Sequence, residues 1–289
     1  MSSPPWLARI RPADLLCGAF LLALLVLALP PPPGAPWLPF EYAALLAGLV
    51  ALIALDPRGR LLRLFHAFYP VPVVLLVFDS LKSLIPHVNP RDLDPLLIRA
   101  DLWLFGVHPT VWLERLTTPF LTDLMHLAYV TYYPMPLLLA IRLWRRGDQA
   151  AFDQAAFSLV LVFFASYAGY FLVPAIGPSH TLTSFQSLPL EGWLTPWIRS
   201  TITYLEGIKR DAFPSGHAAI AVAVVGLAAR VDRRELPWLI PAVTGLLLST
   251  VYTRYHYVVD VLAGVPLGVA GAILGPAWAR ALGRGLGRG

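Results

Sequence analysis

Two short stretches hold side chains suited to phosphoryl chemistry. One is "DAFPSGHAAIAV", Asp211 to Val222, and the other is "YTRYHYVVDVLAG", Tyr252 to Gly264. In the second, His256 and Asp260 are four residues apart and share a helix face. A carboxylate there accepts the imidazole Nδ1–H, fixes the tautomer and leaves Nε2 as a basic lone pair. That is how a histidine is prepared for nucleophilic attack. Arg254 adds a guanidinium fork that matches a phosphate. In the first stretch, Pro214 suits a helix start, Ser215 is a good N-cap, and Gly216 admits close approach to the backbone. The N–H groups of the helix that follows favour an anion, and His217 stands in its first turn.

Together these residues describe one reaction. His256 attacks phosphorus, the departing alcohol takes a proton from His217, and a second acceptor resolves the phosphohistidine. Cations and helix N–H groups stabilise the charge on the equatorial oxygens, so the scheme requires no metal or other cofactor. Plainer readings stand beside it. His217 suits a capped helix at headgroup level, and His256, Arg254 and Asp260 suit a pair bracing a helix end. A site of two histidines and one aspartate for a metal is a further rival.

Both stretches open apolar runs, and the whole chain explains why. Of its 289 residues, 57% are hydrophobic and only 13% charged, about half the charge of a soluble domain. The chain reads as an all-α, polytopic membrane bundle. Eight runs approach the roughly 20 apolar residues that a spanning helix needs: about 13–30, 40–56, 61–80, 119–143, 153–174, 215–230, 236–253 and 256–279. The first, behind Arg9 and Arg11, reads as a retained anchor, because Pro30 to Pro33 take the place of a small-residue cleavage site. The single Cys17 lies in that run as a small packed residue and excludes an internal disulfide framework.

The net charge of +5 is scattered through short loops, which argues against nucleic acid as a partner. Fourteen of the 22 basic residues fall in the N-terminus, "DPRGRLLR", "RLWRRGD", "RVDRRE" and the C-terminal "RALGRGLGRG". These alternate with longer connections that carry the other eight. The positive-inside rule then puts both termini in the cytoplasm and both histidine stretches on the outer side of a bacterial inner or cell membrane. The outer connection at about 81–118 mixes Leu96, Leu97, Leu102, Trp103 and Phe105 with Asp94, Arg99 and Asp101, as an amphipathic segment lying in the interface does. Asp123, His126 and Tyr129 stand three residues apart, either lining a headgroup pocket or forming a network between helices. Asp79 and Lys82 read as a local ion pair, and His66 as structural.

"FPSGH" together with "YTRYHYVVD" resembles the second and third motifs of the type 2 phosphatidic acid phosphatase superfamily. The upstream "NPRDLDPLLIRADLWLFGVHP" is similar to the inositol phosphorylceramide synthase-like branch. The likeness spans roughly 80–275, so residues 61–289 are expected to form the family core and 1–60 to be membrane helices outside it. By motif position the resemblance makes His217 the general acid, His256 the nucleophile, Asp260 its partner and Arg254 a phosphate ligand. The family's first motif, a Lys, six residues, then Arg-Pro, is not matched: eight residues separate Lys82 from Arg91, and Pro90 precedes Arg91. His180, Lys209 and Arg210 are therefore candidates to complete the phosphate pocket, their plainer reading being solvated loop charges.

The expected activity is transfer of a phosphoryl headgroup, such as phosphoinositol, from a phospholipid donor to a lipid alcohol. The alternatives are hydrolysis of a lipid phosphate, with water as acceptor, and a non-catalytic lipid-binding or transport protein.

Overall fold

A computed structural model describes residues 7–55, 59–207 and 210–287, so Arg58, Lys209 and Arg288 lie outside the described residues. Among the described residues the protein is helical throughout, with no strand. The chain runs through α1 (Pro12–Leu27), α2 (Leu38–Ala54), α3 (Arg60–Phe68), α4 (Pro70–Val88), α5 (Asp94–Phe105) and the single turn α6 (Pro109–Trp112). It continues with α7 (Pro119–Val130), α8 (Pro134–Arg146), α9 (Gln149–Leu172), the turn α10 (Pro178–Thr181) and α11 (Thr195–Glu206). The last three helices are α12 (Gly216–Val231), α13 (Leu236–Tyr252) and α14 (Val258–Gly285).

Proline opens most of these helices, where its missing N–H has no intrahelical partner to lose. That reconciles 28 prolines with a helical protein. The same residue breaks two of the expected runs. Residues 61–80 are interrupted at Tyr69–Pro70 within one apolar stretch, and residues 119–143 divide before Pro134. Tyr69 and Tyr133 keep helical dihedrals, and what proline removes is the N–H that would continue the helical hydrogen bonds.

Four helical stretches are long and apolar enough to cross a membrane: 60–88, 149–172, 233–252 and 258–285. The pair α7 and α8, bent by 41°, makes a fifth if it is one span. The remaining three of the eight expected runs form α1, α2 and α12, which are apolar but only 16 or 17 residues long. Phe40, Leu75, Leu172 and Trp238 are exposed on the outside of the bundle, as lipid contact requires. The protein is an integral membrane protein.

The core lies around α9. One buried cluster joins it to α1, α2 and α4 through Cys17, Leu21, Tyr42, Val77 and Phe164. A second joins it to α8, α12 and α13 through Leu143, Phe152, Ala223 and Leu246. His66 is buried against Asp14 with Nε2 2.8 Å from Oδ2, and Asp79 pairs with Lys82 at 3.0 Å on the surface. Both therefore have local partners.

Candidate active site

The two histidine stretches meet because α12 and α14 pack backbone to backbone. A Cβ on Gly264 would collide with the Ser215 carbonyl, and one on Gly268 with the Ala219 carbonyl. At the mouth of this pair the Ser215 N–H donates to the Asp260 carbonyl at 3.0 Å. Ser215 is the N-cap of α12, and its hydroxyl accepts from the Ala218 N–H. Gly216 lies under the Tyr170 hydroxyl, which an added Cβ would meet at 2.5 Å.

The turn between α13 and α14 carries His256. Its Tyr255 and His256 N–H groups both donate to the Thr250 carbonyl, at 3.1 and 3.0 Å, and Arg254 takes a left-handed φ of 66°. Asp260 accepts from the Tyr257 N–H at 2.8 Å. Asp101 on α5 accepts from the Val258 and Val259 N–H groups at 3.0 and 2.9 Å, covering the free donors of the first turn of α14. Asp94, on the same face of α5, accepts from Ile176, Gly177 and the Tyr257 hydroxyl. The amphipathic segment is thus turned round from the usual sense. Its two aspartates are buried as clamps on the turn, while Trp103 and Phe105 are exposed.

The clamps leave His256 with a defined tautomer. Its Nδ1 lies 2.9 Å from the Ala212 carbonyl, which can only accept, and 3.4 Å from Asp260 Oδ2. Nδ1 therefore carries the proton and Nε2 is an unprotonated lone pair, within hydrogen-bond reach of His217 Nδ1 at 3.4 Å. On its other side, His217 Nε2 lies 3.3 Å from Glu206 Oε1, at ion-pair distance but out of line for a hydrogen bond. The four side chains run in the order Asp260, His256, His217, Glu206, so a carboxylate stands behind each imidazole. Tyr129 and Tyr132 hold the His217 ring between them, with centroids at 4.5 and 4.2 Å. Glu206 also accepts from the Tyr133 and Tyr129 hydroxyls at 2.6 and 3.2 Å. Burial pushes the Glu206 carboxyl pKa up, but the His217 ring and the two phenols outweigh it, and the net direction is down.

The histidines open into a cavity of about 280 Å³. His180 lies on its wall, as do Arg199, Glu206, Asp211 and Tyr255. The other predicted phosphate ligands have different partners. Arg254 donates through Nη2 to Glu114 at 2.8 Å and to the Leu188 carbonyl at 2.7 Å, and through Nη1 to Gln186. Arg210 pairs with Asp92, and Lys209 lies outside the described residues. Of the three residues on α7, Tyr129 reaches the cavity. Asp123 instead caps the start of α11, accepting from the N–H groups of Trp193, Leu194 and Thr195 and from the Thr195 hydroxyl. His126 Nδ1 contacts the Thr122 carbonyl at 2.8 Å.

Glu206 and Arg199 were not among the predicted site residues. Their spacing of seven puts both on one face of α11, a signal present in "TPWIRSTITYLE".

An all-helical membrane bundle with a buried pair of histidines, each backed by a carboxylate, defines a class: membrane proteins with a polar, ionisable cluster at one end of the helices. The chain belongs to the PAP2 superfamily, whose family profile matches residues 96–274. It is also 27% identical over 172 residues to a PA-phosphatase related-family protein of Dictyostelium discoideum. That match covers 50% of this chain and 30% of the relative, so the chain spans less than a third of the curated protein it resembles. No solved structure matches the chain.

Proposed function

We propose that the protein is a membrane phosphotransferase that moves a phosphoryl headgroup from a phospholipid to a second lipid alcohol, with the inositol phosphorylceramide synthase-like character read from its motifs. The observation that carries this reading is the 3.4 Å approach of the unprotonated His256 Nε2 to His217 Nδ1, beside a cavity. His256 Nε2 attacks phosphorus and forms a P–N bond. The bond from phosphorus to the lipid oxygen breaks, and that oxygen takes a proton from His217. Glu206 favours the doubly protonated ring that this step needs. The acceptor alcohol then gives its proton to His217 as its oxygen attacks phosphorus, and the P–N bond breaks. Asp260 holds the His256 ring and stabilises its charge in both steps. Every proton has a named carrier without a metal, so turnover persists in chelator.

The cavity of about 280 Å³ beside the histidines suits a lipid phosphate in either reaction, and the preference for transfer rests on the motifs. Phosphatase activity is the second reading, supported by the name of the Dictyostelium relative. The basic loops support a site on the outer side, with the ends of the described chain cytoplasmic.

The test is purified protein in vesicles containing a phospholipid labelled in its headgroup phosphate, with and without lipid alcohols. Transfer predicts label in a new lipid only when an alcohol is present, and His256→Gln should be folded but form neither phosphohistidine nor product. Label released to water at the same rate with or without alcohol would make the protein a phosphatase. A fully active His256→Gln would end the nucleophile assignment.

A further inference from the structure

The catalytic scheme needs a cation at the phosphate, and the two motifs do not put one on the cavity wall. Seven of the eight basic residues assigned to the long connections are described. Lys82 is paired with Asp79, Arg210 with Asp92 and Arg254 with Glu114. Arg99 donates to its own helix at Pro95, and Arg115 lies over the Trp112 ring at 4.0 Å. Of the seven, Arg199 is the one that lines the cavity, and among the described residues no carboxylate pairs with it. Glu206 and Asp211 line the same chamber.

The fold also explains why this arginine sits at the right depth. Arg199, Ile202, Thr203 and Glu206 are spaced three, four and seven apart and line the cavity from one face of α11, with Ile202 buried and Arg199 and Thr203 exposed. The outer face carries Trp197 and Tyr204, 79% and 89% exposed. Aromatic side chains of this kind settle at the headgroup level of a bilayer, which is where a membrane lipid presents its phosphate. Asp123 pins the start of the helix through four hydrogen bonds, so the cavity-lining face is held toward the histidines.

The geometry points to Arg199 as the phosphate-binding cation of this site, acting on the phosphate of a membrane lipid from an aromatic-anchored outer helix, while Arg254 serves as a brace to Glu114. This deepens the phosphotransfer reading and rests on it. Arg199→Ala and Arg199→Lys would be compared with the unaltered protein and with Arg91→Ala, a basic residue off the cavity wall. The readouts are KM and kcat for the lipid substrate, competition by orthophosphate, and orthophosphate binding by calorimetry, which needs no turnover. Arg199→Ala should raise KM and weaken orthophosphate binding about 10- to 100-fold, the size expected for a hydrogen bond to a charged group. Arg199→Lys should recover part of the loss, and Arg91→Ala should change neither. An active protein whose KM and orthophosphate binding are the same with Ala at 199 would overturn the Arg199 assignment and leave the phosphotransfer reading intact. Wild-type protein that turns over no lipid phosphate would overturn that reading, and calorimetry on the Ala and Lys variants would still decide whether Arg199 binds phosphate.

Discussion

Gly177 offers a test of whether the His256 turn must be held to within a fraction of an ångström. It has φ 87° and ψ 168°, a conformation open almost only to glycine. Its N–H donates to Asp94 at 2.9 Å, and a Cβ added there would stand 2.6 Å from the Tyr255 carbonyl oxygen. The closest ordinary approach of carbon to oxygen is about 3.3 Å. Gly177→Ala must therefore displace the turn by about 0.7 Å at the residue next to His256, or displace the Gly177 segment by as much. His256 Nε2 is already 3.4 Å from His217 Nδ1, at the edge of hydrogen-bond reach. A misplacement of 1 Å costs about 100-fold in rate, so a fall in kcat of about 10- to 100-fold is expected. The φ strain adds a stability loss of about 1–3 kcal/mol. Gly147→Ala separates the two effects, because Gly147 has φ 73° but nothing within 4 Å of an added Cβ. Thermal melting and single-turnover phosphohistidine formation would be measured on both variants. The expected result is destabilisation in both and slowed chemistry only at 177. Equal kcat in the two, with both folded, would refute the claim that the position of the turn sets the rate.

Two further outcomes are expected. Glu206 has a folded-state pKa below its usual 4.5, so the stability it contributes is present above about pH 4.5 and is lost as pH falls through the depressed value. Glu206→Gln should therefore be less stable than wild type at neutral pH, with the gap closing in acid, and its kcat–pH profile should lose the protonated His217 at lower pH than wild type does. Unchanged melting curves and rate profiles across this range would remove Glu206 from the site. For sidedness, single cysteines placed at 213 and 255 in a Cys17→Ala background should react with an impermeant thiol reagent from the outer face of intact cells, and labelling only after lysis would reverse the orientation.

The membrane bundle was legible because apolar runs can be counted, and prolines at 70 and 134 mark where two of them break. The placement of Ser215, His217, His256 and Asp260 in one cluster was legible too, since each motif stands at the start of a helix. His256, however, lies in the turn ahead of α14 and not on a helix face shared with Asp260, because α14 begins only at Val258. The way α5 faces was not. A helix with aspartates on one side and Trp103 and Phe105 on the other can turn either face inward, and the choice depends on the free N–H groups of α14, 157 residues away. The fate of Arg254 was hidden in the same manner. Its fork suits phosphate and carboxylate alike, and Glu114 claims it across 140 residues. For Arg199 and Glu206 the shared helix face was readable but its destination was not, because Asp123, which fixes that destination, is a cap contributed by another helix.

The clamp made by α5 has a consequence for the order in which the protein is built. Asp94 and Asp101 leave the ribosome more than 150 residues before Tyr257, Val258 and Val259, the groups they finally hold. Until then a buried α5 would carry the Asp101 carboxylate without a donor, at a cost of several kcal/mol, although Ile176 and Gly177 reach Asp94 earlier. The cheaper arrangement for the growing chain is to leave α5 at the membrane surface with Asp101 in water. The histidine cluster is then closed last, when insertion of α14 supplies the N–H groups that draw α5 into place.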